Sequence, residues 1–227
     1  SGTGNSVAVG NEWQRISYAA PQYGGIKIYI DPQYGHYFDI WGAQGEYGLV
    51  SGGTGRITSY IPTTSGSATR TRDNYLNGGD TSLIGAQEGV LFFEGAAIAN
   101  QVGRTRGVGL SASNSAANRV VLFYSSTSNS IQALVQASAS TVVAIYGTVA
   151  DQTAFNKMAI KYKSGDIALW INGTEAATST TAFTFNAALS ELAFDQGNGS
   201  QHMDGHVKQL VVFKEILSDA ELAALTS

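Results

Sequence analysis

The sequence predicts an all-β protein, one large antiparallel β-sandwich with an appendage, and three observations carry that prediction. From Trp13 onward, short runs of aromatic and β-branched residues follow one another, each bounded by Gly, Asn, Asp, Ser or Thr. The chain has 27 Gly but only 3 Pro in 227 residues, and 13% charged residues where a globular chain usually carries roughly 25%. At this length a single large sandwich fits better than two generous domains. The 43% of hydrophobic residues suffice for a buried core, which excludes disorder of the whole chain.

The elements follow in order. Residues 1–10, opening SGTGN, read as a linker or an expression remnant. Residues 11–60 hold the runs WQRISYA, IKIYI and YFDIW and most of RITSYIP, a run whose last residue, Pro62, should end strand pairing because it lacks an N–H. These are too few apolar positions for an independent core, so they are expected to be strands laid against a larger unit or another subunit. Residues 61–73 read as a connecting segment, and 74–227 as the sandwich.

Within the sandwich, VLFFEG, VGLSA, RVVLFY, IQALVQA and TVVAIYG read as strands. In Lys157–Lys163 the alternation is strict, with Met158, Ile160 and Tyr162 on one face and three lysines on the other, which predicts a half-buried strand. Ser164-Gly165-Asp166 and Asn172-Gly173 supply turns on either side of DIALWI, and Thr174–Thr178 can return. A helix is predicted over Asp219–Leu225. Ser218 and Glu221 have the spacing of a capping box, and Leu222 and Leu225 would face the sheet together. So short a helix must be held by packing.

Composition narrows the chemistry. There are 13 basic and 17 acidic residues, with no two Lys or Arg adjacent, so nucleic acid is not an expected partner. Cysteine is absent, which removes disulfides, thiolate catalysis and cysteine-bound metals. No run approaches 18 consecutive apolar residues, so membrane insertion by a helix is not expected. The HExxH, GxSxG and GxxxxGK[ST] signatures are missing.

Four residue groups remain as candidates. Glu191 and Asp195, two strand periods apart, could form the paired carboxylates of a glycosidase, which must stand roughly 5 to 9 Å apart across a cleft, but a polar, solvated strand face places carboxylates there anyway and is the preferred reading. His202, Asp204 and His206 would share one face if QHMDGHV is extended, a geometry compatible with a metal. The oxygen-rich loop from Asp195 to Ser200 offers calcium ligands, Asp195 and Asn198 first among them. Aromatic residues form the fourth group. Tyr23, Tyr34 and Tyr37 stand beside Gly-rich turns, where a flat ring can pack on the C–H face of a pyranose while neighbouring polar groups bond its edge. Packing against a core or a second subunit is the competing use of the same rings.

The stretch from Phe155 to Ser227 resembles the second half of the laminin-G or concanavalin A-like lectin/glucanase superfamily, in the versions found in bacteriophage tail and fibre proteins. The resemblance rests on Lys163-x-Gly165 followed by Asn172-Gly173, on LSELAFD, and on the ending Leu217, Ser218, Asp219, Glu221 and Leu222. The stretch from Trp13 to Asp73 is similar to a second phage-associated pattern, carried by Trp13, Arg15, Ile40–Gln44, Glu46, Thr58–Thr63 and Thr71–Asp73. There it closes a jelly-roll, carbohydrate-binding-like module and leads into the laminin-G-like domain.

The resemblance implies a concanavalin A-like antiparallel β-sandwich, or jelly roll, with a short C-terminal helix. It also implies a place on the virion surface, in an extracellular tail or fibre. The paired-acid strand motif E-x-D-x-x-E of the laminarinase-like enzymes is absent. The expected function is thus a non-catalytic carbohydrate-binding module recognising a glycan or polysaccharide, with Tyr23, Tyr34 and Tyr37 at one patch and Asp195, Asn198 and His202 at another. The second reading is a structural fibre domain, homotrimeric or packed on other fibre subunits. A polysaccharide lyase or glycoside hydrolase is the third.

Overall fold

A computed structural model of the chain describes Glu12, Pro62, Tyr75, residues 77–100 and residues 105–227. Tyr23, Tyr34, Tyr37 and, but for Glu12 and Pro62, the expected strands of 11–60 and the connecting segment 61–73 lie outside the described residues. Among the described residues the chain forms ten strands and one helix. In order these are β1 (Gly89–Ala97), β2 (Arg106–Ala112), β3 (Ser115–Tyr124), β4 (Ser130–Ala137), β5 (Ser140–Thr148), β6 (Asn156–Lys163), β7 (Asp166–Ile171), β8 (Thr174–Ser179), β9 (Glu191–Ala193), β10 (Gly205–Phe213) and α1 (Asp219–Thr226).

The strands build two five-stranded sheets, β10-β1-β6-β7-β8 and β5-β4-β3-β2-β9, with every pairing antiparallel. The protein is an all-β antiparallel sandwich with a short C-terminal helix, as the sequence predicts. Alternation decides which side chains meet between the sheets. Leu91 and Phe93 of β1, Val108 and Leu110 of β2, Leu122 and Tyr124 of β3, and Met158, Ile160 and Tyr162 of β6 all enter one core cluster.

The first sheet is buried on its outer face too. Val90 and Phe92 of β1, Ala159 of β6, and Ala168 and Trp170 of β7 point away from the sandwich and pack with Leu222 of α1, flanked by Leu225. Strand β6 is therefore not half-buried, as its alternation suggests. Helix α1 covers its polar side, and Lys161 is held there by Asp166 at 2.9 Å and Asp219 at 3.1 Å. The lysine row looked solvent-facing because its partners come from a different strand and from the helix start.

The helix starts as predicted. The Glu221 N–H donates to the Ser218 hydroxyl, and the Ser218 N–H donates to the Glu221 carboxylate at 2.8 Å, completing the capping box. Its far end is tied to the β7–β8 hairpin, where the Gly173 N–H donates to Thr226 Oγ1 at 3.1 Å. Asn172 and Gly173 have φ of +47° and +81°, the left-handed pair that a two-residue hairpin turn requires. Among the described residues, no helix is long and apolar enough to cross a membrane.

Candidate functional site

The site is built on the outer face of the second sheet. Inward positions of β2 are taken by Val108 and Leu110, so Gly107, Gly109 and Ser111 face outward. After β9 the chain leaves the sheet at Phe194, loops through Asp195–His202 and returns at Met203, whose N–H donates to the Phe194 carbonyl at 2.8 Å. This loop lies directly on Gly109. A Cβ there would stand 2.9 Å from the Gly197 nitrogen and 3.0 Å from the Asp195 carbonyl, so only glycine lets the two backbones approach.

Local chemistry fixes the loop's shape. Gly197, Gly199 and Gln201 have φ of +72°, +74° and +55°, giving three left-handed residues in a short stretch. Asp195 Oδ1 accepts from the Gly197 N–H at 2.5 Å, and Asn198 Oδ1 accepts from the Ser200 N–H and hydroxyl at 3.2 and 2.6 Å. The Gln196 side chain donates to Thr105 at 2.8 Å. Arg119 of β3 holds the loop from the sheet: its Nε donates to Gln136 of β4 at 2.8 Å, and its NH1 donates to the Gln196 carbonyl at 2.9 Å.

Electrostatics tie these groups together. Burial pulls the Arg119 pKa down and the Asp195 charge opposes that shift, so the guanidinium has a built-in counter-charge. Asp195 is fully enclosed, and its Oδ2 has no hydrogen-bond partner. His202 Nδ1 lies 3.8 Å from that oxygen, an ion pair whenever the imidazole is protonated. The loop thus presents half-buried Gln196, Asn198 and His202 beside half-buried Gln136, above an enclosed Asp195 and Arg119.

Of the sequence candidates, Asp195 and His202 are brought together, while Asn198 sits in the same loop with its carbonyl oxygen engaged by Ser200. A calcium ion at Asp195 and Asn198 would have to share Asp195 Oδ1 and Asn198 Oδ1 with the loop's own donors, which leaves Asp195 Oδ2 as the one unengaged oxygen of the pair's side chains. Among the described residues, no group of three or more His, Asp or Glu side chains is placed to hold a metal. The proposed His202, Asp204 and His206 face does not form. His202 bridges Gly107 in the second sheet and His206 pairs with Ala96 in the first, because the chain crosses between sheets at residues 203–204.

Glu191 and Asp195 also differ from a solvated pair. Glu191 is opposite Ser111 across β9 and β2, and Asp195 is enclosed beneath its loop. Arg119 and Gln136, which organise the site, were missed by sequence reasoning. The glycine inside VGLSA was the available signal, since a glycine in a strand interior marks a close backbone approach.

Comparison with known proteins agrees with this architecture. A family model for the concanavalin A-like lectin/glucanases superfamily matches residues 98–223. No curated protein matches the sequence. Among solved structures, the CBM40 of the Ruminococcus gnavus IT-sialidase bound to alpha2,6 sialyllactose is similar with a TM-score of 0.52 at 14% identity, covering 69% of this chain and 97% of that one. The alpha2,3 sialyllactose complex of the same module gives 0.51 at 16% identity, covering 63% and 84%. The native heptameric SAP-like pentraxin from Limulus polyphemus gives 0.53 at 13% identity, covering 70% and 78%. At such identities the likeness is one of fold.

Proposed function

Because the chain belongs to the concanavalin A-like lectin/glucanases superfamily through residues 98–223, we propose that it is a non-catalytic carbohydrate-binding module whose ligand surface is the outer face of the second sheet at the Asp195–His202 loop. One observation carries this reading. The loop is preformed by Gly109, Arg119 and its own turns, and it holds out amide and imidazole groups that match the donors and acceptors of sugar hydroxyls. Preorganisation matters because a weak polyhydroxylated ligand cannot also supply the cost of ordering its site.

The absence of a role in hydrolysis is part of the proposal. A glycosidase needs two carboxylates reaching the same bond, whereas Asp195 is enclosed and its Oδ1 is held by the Gly197 N–H at 2.5 Å. The resemblance to phage tail and fibre proteins supports placing the module on an extracellular virion surface, where it would recognise a cell-surface or environmental polysaccharide. Binding, rather than turnover, is then the activity to measure.

A glycan array probed with the intact chain, with Asn198→Ala and with His202→Ala tests the reading. Binding of at least one glycan class, weakened roughly tenfold by either substitution in titration, is expected. A folded chain that binds no glycan on the array would overturn it.

A further inference from the structure

We infer that Asn198 is a self-modifying residue, placed by its loop to lose the side-chain amide and become aspartate or isoaspartate. The chemistry needs an asparagine followed by glycine, and water as the one co-reactant. The backbone nitrogen of Gly199 attacks the side-chain carbonyl carbon of Asn198. A nitrogen–carbon bond forms, the proton of that nitrogen passes to the departing amide, and ammonia leaves. Water then opens the five-membered imide at either carbonyl, giving aspartate, or isoaspartate whose backbone runs through the former side chain. Asparagine is a thermolabile residue, and glycine has no side chain to crowd the attack.

The structure singles out this pair among three. Asn77-Gly78, Asn172-Gly173 and Asn198-Gly199 are the Asn-Gly pairs of the described residues. In the first, the attacking nitrogen is engaged, because the Gly78 N–H donates to the Leu192 carbonyl at 2.9 Å and the Leu192 N–H donates back at 2.6 Å. In the second, the Gly173 N–H donates to Thr226 Oγ1 at 3.1 Å. The Asn172 amide is also held at both atoms, Oδ1 accepting from the Lys157 N–H at 2.9 Å and Nδ2 donating to Asn156 Oδ1 at 3.0 Å. Gly199 has no such hold. It is exposed, its N–H meets no acceptor among the described residues, and a Cβ on it would find only Asn114 Nδ2, 3.7 Å away. An amide that must first break a hydrogen bond reacts only from its open fraction, so the two engaged pairs are slowed.

The carbonyl under attack is polarised as well. Asn198 Oδ1 accepts from the Ser200 N–H at 3.2 Å and from the Ser200 hydroxyl at 2.6 Å. Both donors favour the negative charge that grows on this oxygen as the nitrogen adds.

The product changes the loop where it presents its groups. Aspartate puts an anion in place of a neutral amide, in a loop whose enclosed Asp195 already has Oδ2 unpartnered. Isoaspartate adds one carbon to the backbone inside the stretch that the Gln196 N–H closes onto the Ser200 carbonyl at 3.0 Å. On the carbohydrate-binding reading, on which this consequence alone rests, the module carries a clock: glycan binding declines as Asn198 converts.

The test ages the intact chain in mildly acidic and mildly alkaline buffer and follows all three pairs by peptide mapping and mass spectrometry. The attacking nitrogen must give up its proton, so conversion is expected to be faster in alkali. Asn198 is expected to outrun Asn77 and Asn172 roughly tenfold or more, the factor by which one well-formed hydrogen bond holds an amide closed. Equal rates at the three pairs, or Asn172 in the lead, would overturn the proposal. A glycan array is then probed with the fresh chain, the aged chain, Asn198→Asp and aged Asn198→Gln, with circular dichroism to check that each keeps its sheets. The signal of the aged chain should fall with the converted fraction, and Asn198→Asp should bind roughly tenfold more weakly than the fresh chain. Asn198→Gln, whose ring closure would need a six-membered imide, should keep through ageing whatever signal it starts with. An unchanged signal at full conversion would overturn the clock. A fresh chain with no signal would overturn the carbohydrate-binding reading, and the mass data would still decide for or against Asn198.

Discussion

At the scale of single residues, the site depends on an atom that is absent. Gly109 lets the Asp195–His202 loop rest on β2, and the contacts a Cβ would make, at 2.9 to 3.1 Å, are all with loop backbone, which cannot rotate away. Gly109→Ala is therefore expected to lift the loop and cost about 1–3 kcal/mol, the range of overpacking in a filled site. A lowered urea midpoint with an unchanged m-value would register the cost, and loss of glycan binding would register the displaced loop. The sequence carried half of this site. Turn chemistry at Asp195-Gln196-Gly197-Asn198 was legible because glycines and Asx residues announce it. Arg119 and Gln136 were not legible, since their meaning comes from a loop some 60 to 80 positions later in the chain, which no local pattern encodes.

At the scale of elements, helix α1 is a docked piece and not a self-sufficient one. Leu222 is fully buried against Val90, Phe92, Ala159, Ala168 and Trp170. Leu222→Ala should cost about 3 kcal/mol, within the usual span for a buried leucine, and Ser218→Ala roughly 1 kcal/mol through loss of the cap. Thermal unfolding of the two variants would check the order, which would reverse if capping outweighed docking.

Sequence reading succeeded for this element because the capping box and the leucine spacing are local. It also succeeded for the Asn172-Gly173 hairpin, whose φ values are demanded by the turn itself. It gave no warning about the first sheet's outer face, where Lys161 looks exposed by alternation and is buried by a helix that begins at Asp219. Nor did it account for residues 180–190, where Phe183, Phe185 and Leu189 enter the core without any strand. Two of their backbone N–H groups are satisfied by side chains instead: that of Phe183 donates to Ser164 Oγ, and that of Phe185 to Gln87.

At the scale of the whole molecule, buried titratable groups make the fold sensitive to alkali. Burial raises the pKa of the Tyr124 phenol, with a hydrogen bond from Asn156 opposing, and raises that of Tyr162, with the Glu88 charge adding to the effect. Burial pulls the Lys161 pKa down, but the hydrogen bonds and charges of Asp166 and Asp219 outweigh it and the pKa is raised.

The sign is the same for all three. An unfolded phenol titrates near pH 10 and an unfolded lysine near 10.4, so their contributions to stability are whole below about pH 10 and are lost as the pH climbs toward the raised folded values. Urea midpoints should therefore hold steady from pH 8 to about 10 and fall beyond it. Tyr162→Phe, which gives up a hydrogen bond to the Gly85 carbonyl, should start lower but fall less steeply, by up to about 1.4 kcal/mol per pH unit. Parallel curves for the two proteins would count against this account.

The order of strands in the first sheet has a further consequence for how the chain reaches this state. Strand β1 is the earliest of the described sandwich and β10 the latest, yet they lie side by side, pairing Val90 with Phe213 and Ala97 with Gly205. On a ribosome, β1 emerges long before its neighbour and can meet only β6 in the meantime. One edge of a strand reading VLFF then waits unpaired while most of the domain is synthesised. Folding dominated by such distant pairings belongs to the slow, millisecond-to-second class, and the completing step is the arrival of β10. A nascent chain halted before residue 205 would have the inner core assembled on one side and a sticky hydrophobic margin on the other, the state in which chaperones and proteases would recognise it.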